Sequence, residues 1–194
     1  MPEVLQSFDI AGFRMINSTL SNPLFDVLMP FLTDLNKQKV VLAFVAAILL
    51  WMIIRGKRNT KLTALLLIIT VIFSDQLSSS VIKYWFERPR PCDTLFNVHL
   101  LVGCGSGYSF PSSHAVNNFA AALVITFFFP RTLWWWFGYA SVISFSRIYV
   151  GVHYPSDVLG GAVIGLLCGA LVIMLFLFVE HTWHKISLMR KTGA

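Results

Sequence analysis

Charge is scarce in this sequence. Asp, Glu, Lys and Arg make up 12% of its 194 residues, about half the ~25% of a soluble domain. With a mean hydropathy of +0.70 and repeated apolar runs of spanning length, that shortage excludes an ordinary soluble protein and points to an integral membrane protein. A single helical bundle is the natural domain count. The fifteen Lys and Arg against nine Asp and Glu leave a net charge of +6. No stretch pairs basic residues with aromatics in a groove-binding pattern, so this excess is read as membrane topology and nucleic acid is excluded as a partner. The polar-interrupted N-terminus lacks the compact apolar core of a cleaved signal peptide. Long repeats and low-complexity tracts are absent too.

What is present is a series of apolar runs. Five clear spans are expected: Val40–Ile54, Leu62–Phe86, His114–Phe129, Leu133–Val150 and Val158–Val179. The fourth opens with Trp134-Trp135-Trp136 as an interfacial belt. Residues 1–36 carry Glu3, Asp9, Arg14, Asn17, Asn22, Asp26 and Asp34, a polar load that a span tolerates poorly. Two short amphipathic, interfacial pieces broken near Ser21-Asn22-Pro23 fit better, with a sixth span as the alternative. The predicted fold is thus an all-α polytopic bundle. Its parts are an interfacial segment over 1–36, a core over 37–182 and a basic tail over 183–194.

Threading the spans alternately puts 55–61, 130–132 and 180–194 on one face. That face holds Arg55, Lys57, Arg58, Lys61, Arg131, Lys185, Arg190 and Lys191 against Glu180 alone. The positive-inside rule makes it, and the C-terminus, cytoplasmic. The external face receives 83–113 and 147–157. Lys83, Arg88, Arg90 and Arg147 run against the rule there and call for a function.

Three clusters converge on that face. The stretch Ser146-Arg147 to Asp157 holds an arginine, a histidine and a carboxylate within twelve residues. Pro155 suits a first helical turn, with His153 just before it and Asp157 inside it. The carboxylate is then able to orient the imidazole, while Arg147 offers a fork for phosphate oxygens. Phe110-Pro111-Ser112-Ser113-His114 opens the third span, whose freed backbone N–H groups suit an anion. Ser112 as a plain N-cap and His114 as an ordinary first-turn residue are the bland alternatives. The third cluster runs from Lys83 to Arg90-Pro91. Dipole complementation is the plain explanation for Lys83, and snorkelling for Arg88. Taken together, the clusters suit phosphoryl transfer, with one histidine attacking and the other serving the leaving group.

These residues resemble the signature of the type 2 phosphatidic acid phosphatase (lipid phosphate phosphatase) superfamily. Its three parts are K-x6-R-P, P-S-G-H and S-R-x5-H-x3-D, matched by Lys83…Arg90-Pro91, Pro111-Ser112-Ser113-His114 and Ser146-Arg147…His153…Asp157. The resemblance covers roughly residues 60–180. It implies that His153 attacks phosphorus to form a phosphohistidine, with Asp157 orienting it, and that His114 protonates the leaving oxygen and later activates water. Lys83, Arg90, Arg147, Ser112 and the Ser113 N–H would hold the phosphate oxygens. It implies no metal and no cofactor, and the external segments lack the grouped carboxylates that Mg²⁺ favours. Ser113 departs from the family glycine, keeping the N–H but losing easy access to positive φ. The implied substrate is a membrane lipid phosphate: undecaprenyl diphosphate or lipid A 1-phosphate is favoured, phosphatidylglycerophosphate or phosphatidate is the alternative, at the periplasmic face of a bacterial inner membrane. A phosphotransferase is a close alternative, and a membrane transporter the alternative from another class.

Other residues carry weaker expectations. Asp75, Ser79 and Lys83 share a helix face at spacing four, so Asp75 either tunes Lys83 or bonds a neighbouring helix. Cys92 and Cys104 form a disulfide if the loop is in an oxidising compartment, free thiols being the alternative. Cys168 is an apolar filler. His99 is by default a solvated loop histidine, and Glu87 has no evident role. Gly161, Gly165 and Gly169 form a small-residue stripe for helix packing within the bundle or in a dimer.

Overall fold

The computed structural model describes residues 3–192. Expectations resting on residues 1–2 and 193–194, and on the side chains of Arg190 and Lys191 in the basic tail, lie outside the described part. The described residues form helices and loops only.

Five helices coincide with the five apolar runs. They are α3 (Lys39–Arg55), α4 (Arg58–Gln76) continuing through a π-helical turn (Leu77–Ile82) into α5 (Lys83–Phe86), α7 (Ser113–Phe128), α8 (Leu133–Tyr149) and α9 (Pro155–Thr192). By length and composition the segments Arg58–Thr94 and Pro155–Ser187 are apolar enough to cross a bilayer. The helices α3, α7 and α8 have 17, 16 and 17 residues, at the lower edge of spanning length. No residue of α3 is buried, and Val40, Phe44 and Trp51 are among its large exposed apolar side chains. Apart from its contact with α4, most of its apolar surface is uncovered, as suits a helix that faces lipid.

The centre of the bundle is the α7–α9 pair, and the glycine stripe explains its closeness. A Cβ on Gly161 would lie 2.9 Å from the Ser112 carbonyl oxygen, and one on Gly169 would lie 3.0 Å from that of Ala120. The stripe therefore packs inside the bundle, because only a missing side chain lets the two backbones approach. At the far end from the site, Arg58 of α4 pairs with Glu180 of α9. The helix α9 runs on without interruption into the basic tail.

The N-terminal segment is helical in two pieces. The first is α1 (Glu3–Arg14), extended by a π-helical turn (Met15–Thr19), and the second is α2 (Pro23–Thr33). The break is where the sequence places it: Asn22 caps α2 by accepting the Phe25 N–H at 3.0 Å, with Pro23 in the first turn. Both pieces are folded onto the site end of the bundle. Phe13 is fully buried in one cluster with Ala115, Ile148, Tyr154 and Val158, while Met29 packs with Tyr149, Val150 and Val152. Asn17 donates to the Tyr149 and His99 carbonyls at 2.7 and 2.8 Å, locking α1 to the turn after α8.

Candidate active site

The turn between α8 and α9 depends on Gly151, whose φ is +92°. A side chain there would press on Val98 at 2.8 Å and on the His99 carbonyl oxygen at 3.2 Å, so both the backbone and the space require glycine. This turn brings Arg147, at the end of α8, beside His153, just before α9. It also lets Asp157 point back across the first turn of α9, where it accepts the Tyr154 N–H at 2.8 Å.

Lys83, Arg90, Ser113, His114, Arg147 and His153 all line one cavity of about 380 Å³. Four helix termini meet at its wall, which is why residues from three distant motifs share it. Two of its cations are anchored by backbone carbonyls: Lys83 Nζ donates to Tyr108 at 2.6 Å, and Arg90 to Gly107 and Val152 at 3.0 and 3.3 Å. Arg147 donates from Nη1 to the Thr33 hydroxyl at 2.6 Å, and its buried Nε has no partner.

Asp157 stands behind His153, outside the cavity. Its Oδ2 lies 3.6 Å from His153 Nδ1, longer than a formed hydrogen bond, and Nδ1 has no other partner. The same oxygen accepts the Ser109 hydroxyl at 2.5 Å. With Nδ1 on the Asp157 side, Nε2 is the ring atom left for the cavity. Burial pushes the His153 imidazole down to about 3, against the attraction of the Asp157 carboxylate, so the ring is neutral and nucleophilic at physiological pH. The facing His153 ring, the Arg88 charge and the Ser109 hydroxyl hold the buried Asp157 as a carboxylate.

Ser113 lines the cavity, whereas Ser112, expected to hold phosphate beside it, is not among the lining residues. Ser112 sits at the N-cap of α7 but makes no capping bond; its hydroxyl is buried without a partner, and its N–H donates to the Asp157 carbonyl oxygen at 3.0 Å. Ser113 is the first helical residue, and the described non-glycine residues with positive φ are Glu87 and Asn97. Serine therefore fits the position of the family glycine without backbone strain.

Several side chains have partners that sequence reasoning missed. The snorkelling reading of Arg88 is wrong. Arg88 is folded inward, bonding Asp157 Oδ1 at 2.6 Å, Asp9 Oδ2 at 2.5 Å and the Ser156 hydroxyl at 2.7 Å. Thr33 touches two cavity residues, accepting Arg147 at its hydroxyl and lying 3.2 Å from His114 Nε2 through its carbonyl oxygen. Asp75 accepts the Asn117 amide of α7 at 2.8 Å, so it bonds the neighbouring helix, and its charge also acts on Lys83. His99 is not free: its Nε2 lies 3.0 Å from Asp26 Oδ1. Glu87 ends α5 in the left-handed region and accepts the Tyr108 hydroxyl. Cys92 and Cys104 are joined by a disulfide, and Cys168 is buried and free. Arg88 stood out in the sequence only as a basic residue on the external face, and nothing local marked Asp9 or Thr33.

A second cavity of about 590 Å³ meets the first at Ser113 and His114. Its walls include Leu32, Val41, Val45, Val71, Ile72 and Ile143 and also Asp75, Gln76, Asn117 and Asn118, so it is a mainly apolar extension on the His114 side. An anion held by the cations, a neutral imidazole on one side and an apolar channel beside the other imidazole suit cleavage of a phosphate from an apolar group.

Comparison with known proteins agrees with that arrangement. A family model described as the PAP2 superfamily matches residues 63–180. The lipid A 4'-phosphatase of Porphyromonas gingivalis is 33% identical over 122 residues, which is 60% of this chain and 52% of that protein. The chain thus spans about half the length of that relative. The crystal structure of Aquifex aeolicus LpxE is similar with a TM-score of 0.62 and 31% identity, over 84% of this chain and 92% of that one. The crystal structure of a PAP2-type phosphatidylglycerolphosphate phosphatase from Bacillus subtilis gives a TM-score of 0.67 at 26% identity, over 91% and 88%.

Proposed function

The chain belongs to the PAP2 superfamily, and from that premise we propose that it is a membrane lipid phosphate phosphatase working through a phosphohistidine at His153. The observation that carries this reading is the shared cavity of Lys83, Arg90, Arg147, His114 and His153, continuous at His114 with an apolar channel. The phosphate sits among the three cations and the N–H of Ser113, where their fixed charges stabilise the oxygens in the transition state. His153 Nε2 attacks phosphorus as the bond to the lipid oxygen breaks, and His114 gives that oxygen its proton. Water then yields a proton to His114 and attacks phosphorus; the N–P bond breaks, releasing inorganic phosphate and free His153. Asp157 stabilises the imidazole's positive charge throughout. The leaving chain occupies the apolar channel.

Five spans fit this site better than six. Asp9 bonds Ser156 and Thr33 bonds Arg147, so both ends of the N-terminal segment touch one end of the bundle. A crossing between them would separate those ends by about 30 Å. The basic loop 55–61 and the C-terminus then face the cytoplasm, and the cavity faces the periplasm of a bacterial inner membrane. Undecaprenyl diphosphate and lipid A 1-phosphate are the favoured substrates there. Phosphate release from these lipids, phosphatidylglycerophosphate and phosphatidate, measured in detergent, tests the reading. Wild type is expected to release phosphate from at least one and His153→Ala from none. Wild-type inactivity on all four would overturn the function, and full activity of the variant would overturn the mechanism.

A further inference from the structure

We propose that Arg88 is a positioning residue, held by Asp9 of α1 so that its guanidinium fixes the Asp157 carboxylate behind His153. The proposal rests on the phosphohistidine reading above and extends the machinery to the N-terminal helix, outside the matched residues 63–180.

Arg88 does not line the phosphate cavity; it reaches the reaction only through Asp157. Nη1 takes Asp157 Oδ1 at 2.6 Å and the Ser156 hydroxyl at 2.7 Å, and Nη2 takes Asp9 Oδ2 at 2.5 Å. Ser156 closes the ring by donating its hydroxyl and its N–H to the two oxygens of Asp9 at 2.5 and 2.8 Å. The Arg88 guanidinium carbon lies 4.1 Å from the centre of the Tyr154 ring, stacking one face. A planar fork spanning two carboxylates is a task that a lysine cannot reproduce. Because Arg88 occupies Oδ1, Oδ2 is left for Ser109, the Tyr154 N–H and His153. The carboxylate is thereby prevented from turning away from the imidazole. Asp9 is buried, at 6% exposure, and a buried carboxylate needs such a partner; the two acids hold one cation between them.

The charged groups acting on Asp157 are His153 from its own stretch, Arg88, and Lys83 and Arg90 from α5 and the turn after it. Asp9 lies across Arg88 on α1. Removing the Arg88 charge makes protonation of both Asp157 and His153 easier, so both pKa values rise. Arg88→Lys keeps the charge and loses the fork.

The test uses the full chain in detergent with Arg88→Gln, Arg88→Lys, Asp9→Asn and the Arg88→Gln/Asp9→Asn double variant. One readout is kcat and KM on a lipid phosphate that wild type hydrolyses. The other is the NMR titration of the His153 imidazole, identified by its loss in His153→Ala. Arg88→Gln is expected to lower kcat by about ten- to a hundredfold, short of the ~10⁴ that follows loss of an orienting carboxylate's charge, with KM little changed. It raises the His153 titration, whereas Arg88→Lys lowers kcat and leaves the titration in place. Asp9 acts through Arg88, so the double variant is no worse than Arg88→Gln alone. An unmoved His153 titration in Arg88→Gln, wild-type kcat in that variant, or additive losses in the double variant would each overturn the proposal. If Arg88→Gln does not fold, Arg88→Lys decides: lowered kcat supports it and wild-type kcat overturns it. The titration needs no turnover, so a failure of the lipid phosphatase reading is distinguishable from a failure of this one.

Discussion

Thr33 shows how a residue far from any motif reaches the reacting groups. Its hydroxyl takes the Arg147 guanidinium at 2.6 Å, and its carbonyl oxygen lies 3.2 Å from His114 Nε2. Hydrogen bonds to charged groups contribute about 1.5–3 kcal/mol, and Arg147 already has a buried Nε without a partner. Thr33→Val keeps the shape and removes the acceptor, so kcat/KM is expected to fall by at least about tenfold, or ~1.4 kcal/mol, with the helical circular dichroism unchanged. Ser113 leads to the opposite expectation. It opens α7 outside the left-handed region, and its N–H is what an oxyanion would use. Ser113→Gly should therefore keep activity within about twofold, since only a slight loss of helix propensity accompanies it. A drop of a hundredfold would mean that the Ser113 hydroxyl itself holds phosphate.

The helices show which patterns a sequence displays and which it hides. Apolar runs of fifteen or more residues announce α3, α4, α7, α8 and α9. The π-helical turn Leu77–Ile82 leaves no such mark. It follows directly after Asp75 and Gln76, so ideal α-helical spacing does not hold between Asp75 and Lys83. Asp75 is turned to Asn117 instead, while Lys83 reaches Tyr108. The turn between α8 and α9 depends on one glycine. Gly151→Ala would force a Cβ into the left-handed region against Val98 and the His99 carbonyl. We expect a loss of about 1–3 kcal/mol, read as a lower melting temperature in detergent, together with lower activity because Arg147 and His153 flank the turn.

Across the whole molecule, the residues that share the cavity were legible because their three motifs are local: Lys83 with Arg90, Ser113 with His114, and Arg147 with His153. The groups that brace it were not. Asp9 meets Ser156 and Arg88 across 147 and 79 residues of chain, and Thr33 meets Arg147 across 114. No spacing rule connects such positions; only the folding of α1 and α2 onto the bundle does. That folding also bears on topology. Arg58 pairs with Glu180 at the end of the bundle away from the cavity, where Arg55, Lys57 and Lys61 also gather. On the topology proposed above, positive loops stay in the cytoplasm and α1, α2 and the cavity face outside. A single cysteine placed at Asn59 in a Cys168→Ala background is then expected to resist a membrane-impermeant maleimide in intact cells and to react after permeabilisation. A cysteine placed at Ser18, which is exposed beside α1, should react in intact cells. Labelling at Asn59 together with protection at Ser18 would invert the molecule and move the cavity to the cytoplasmic face.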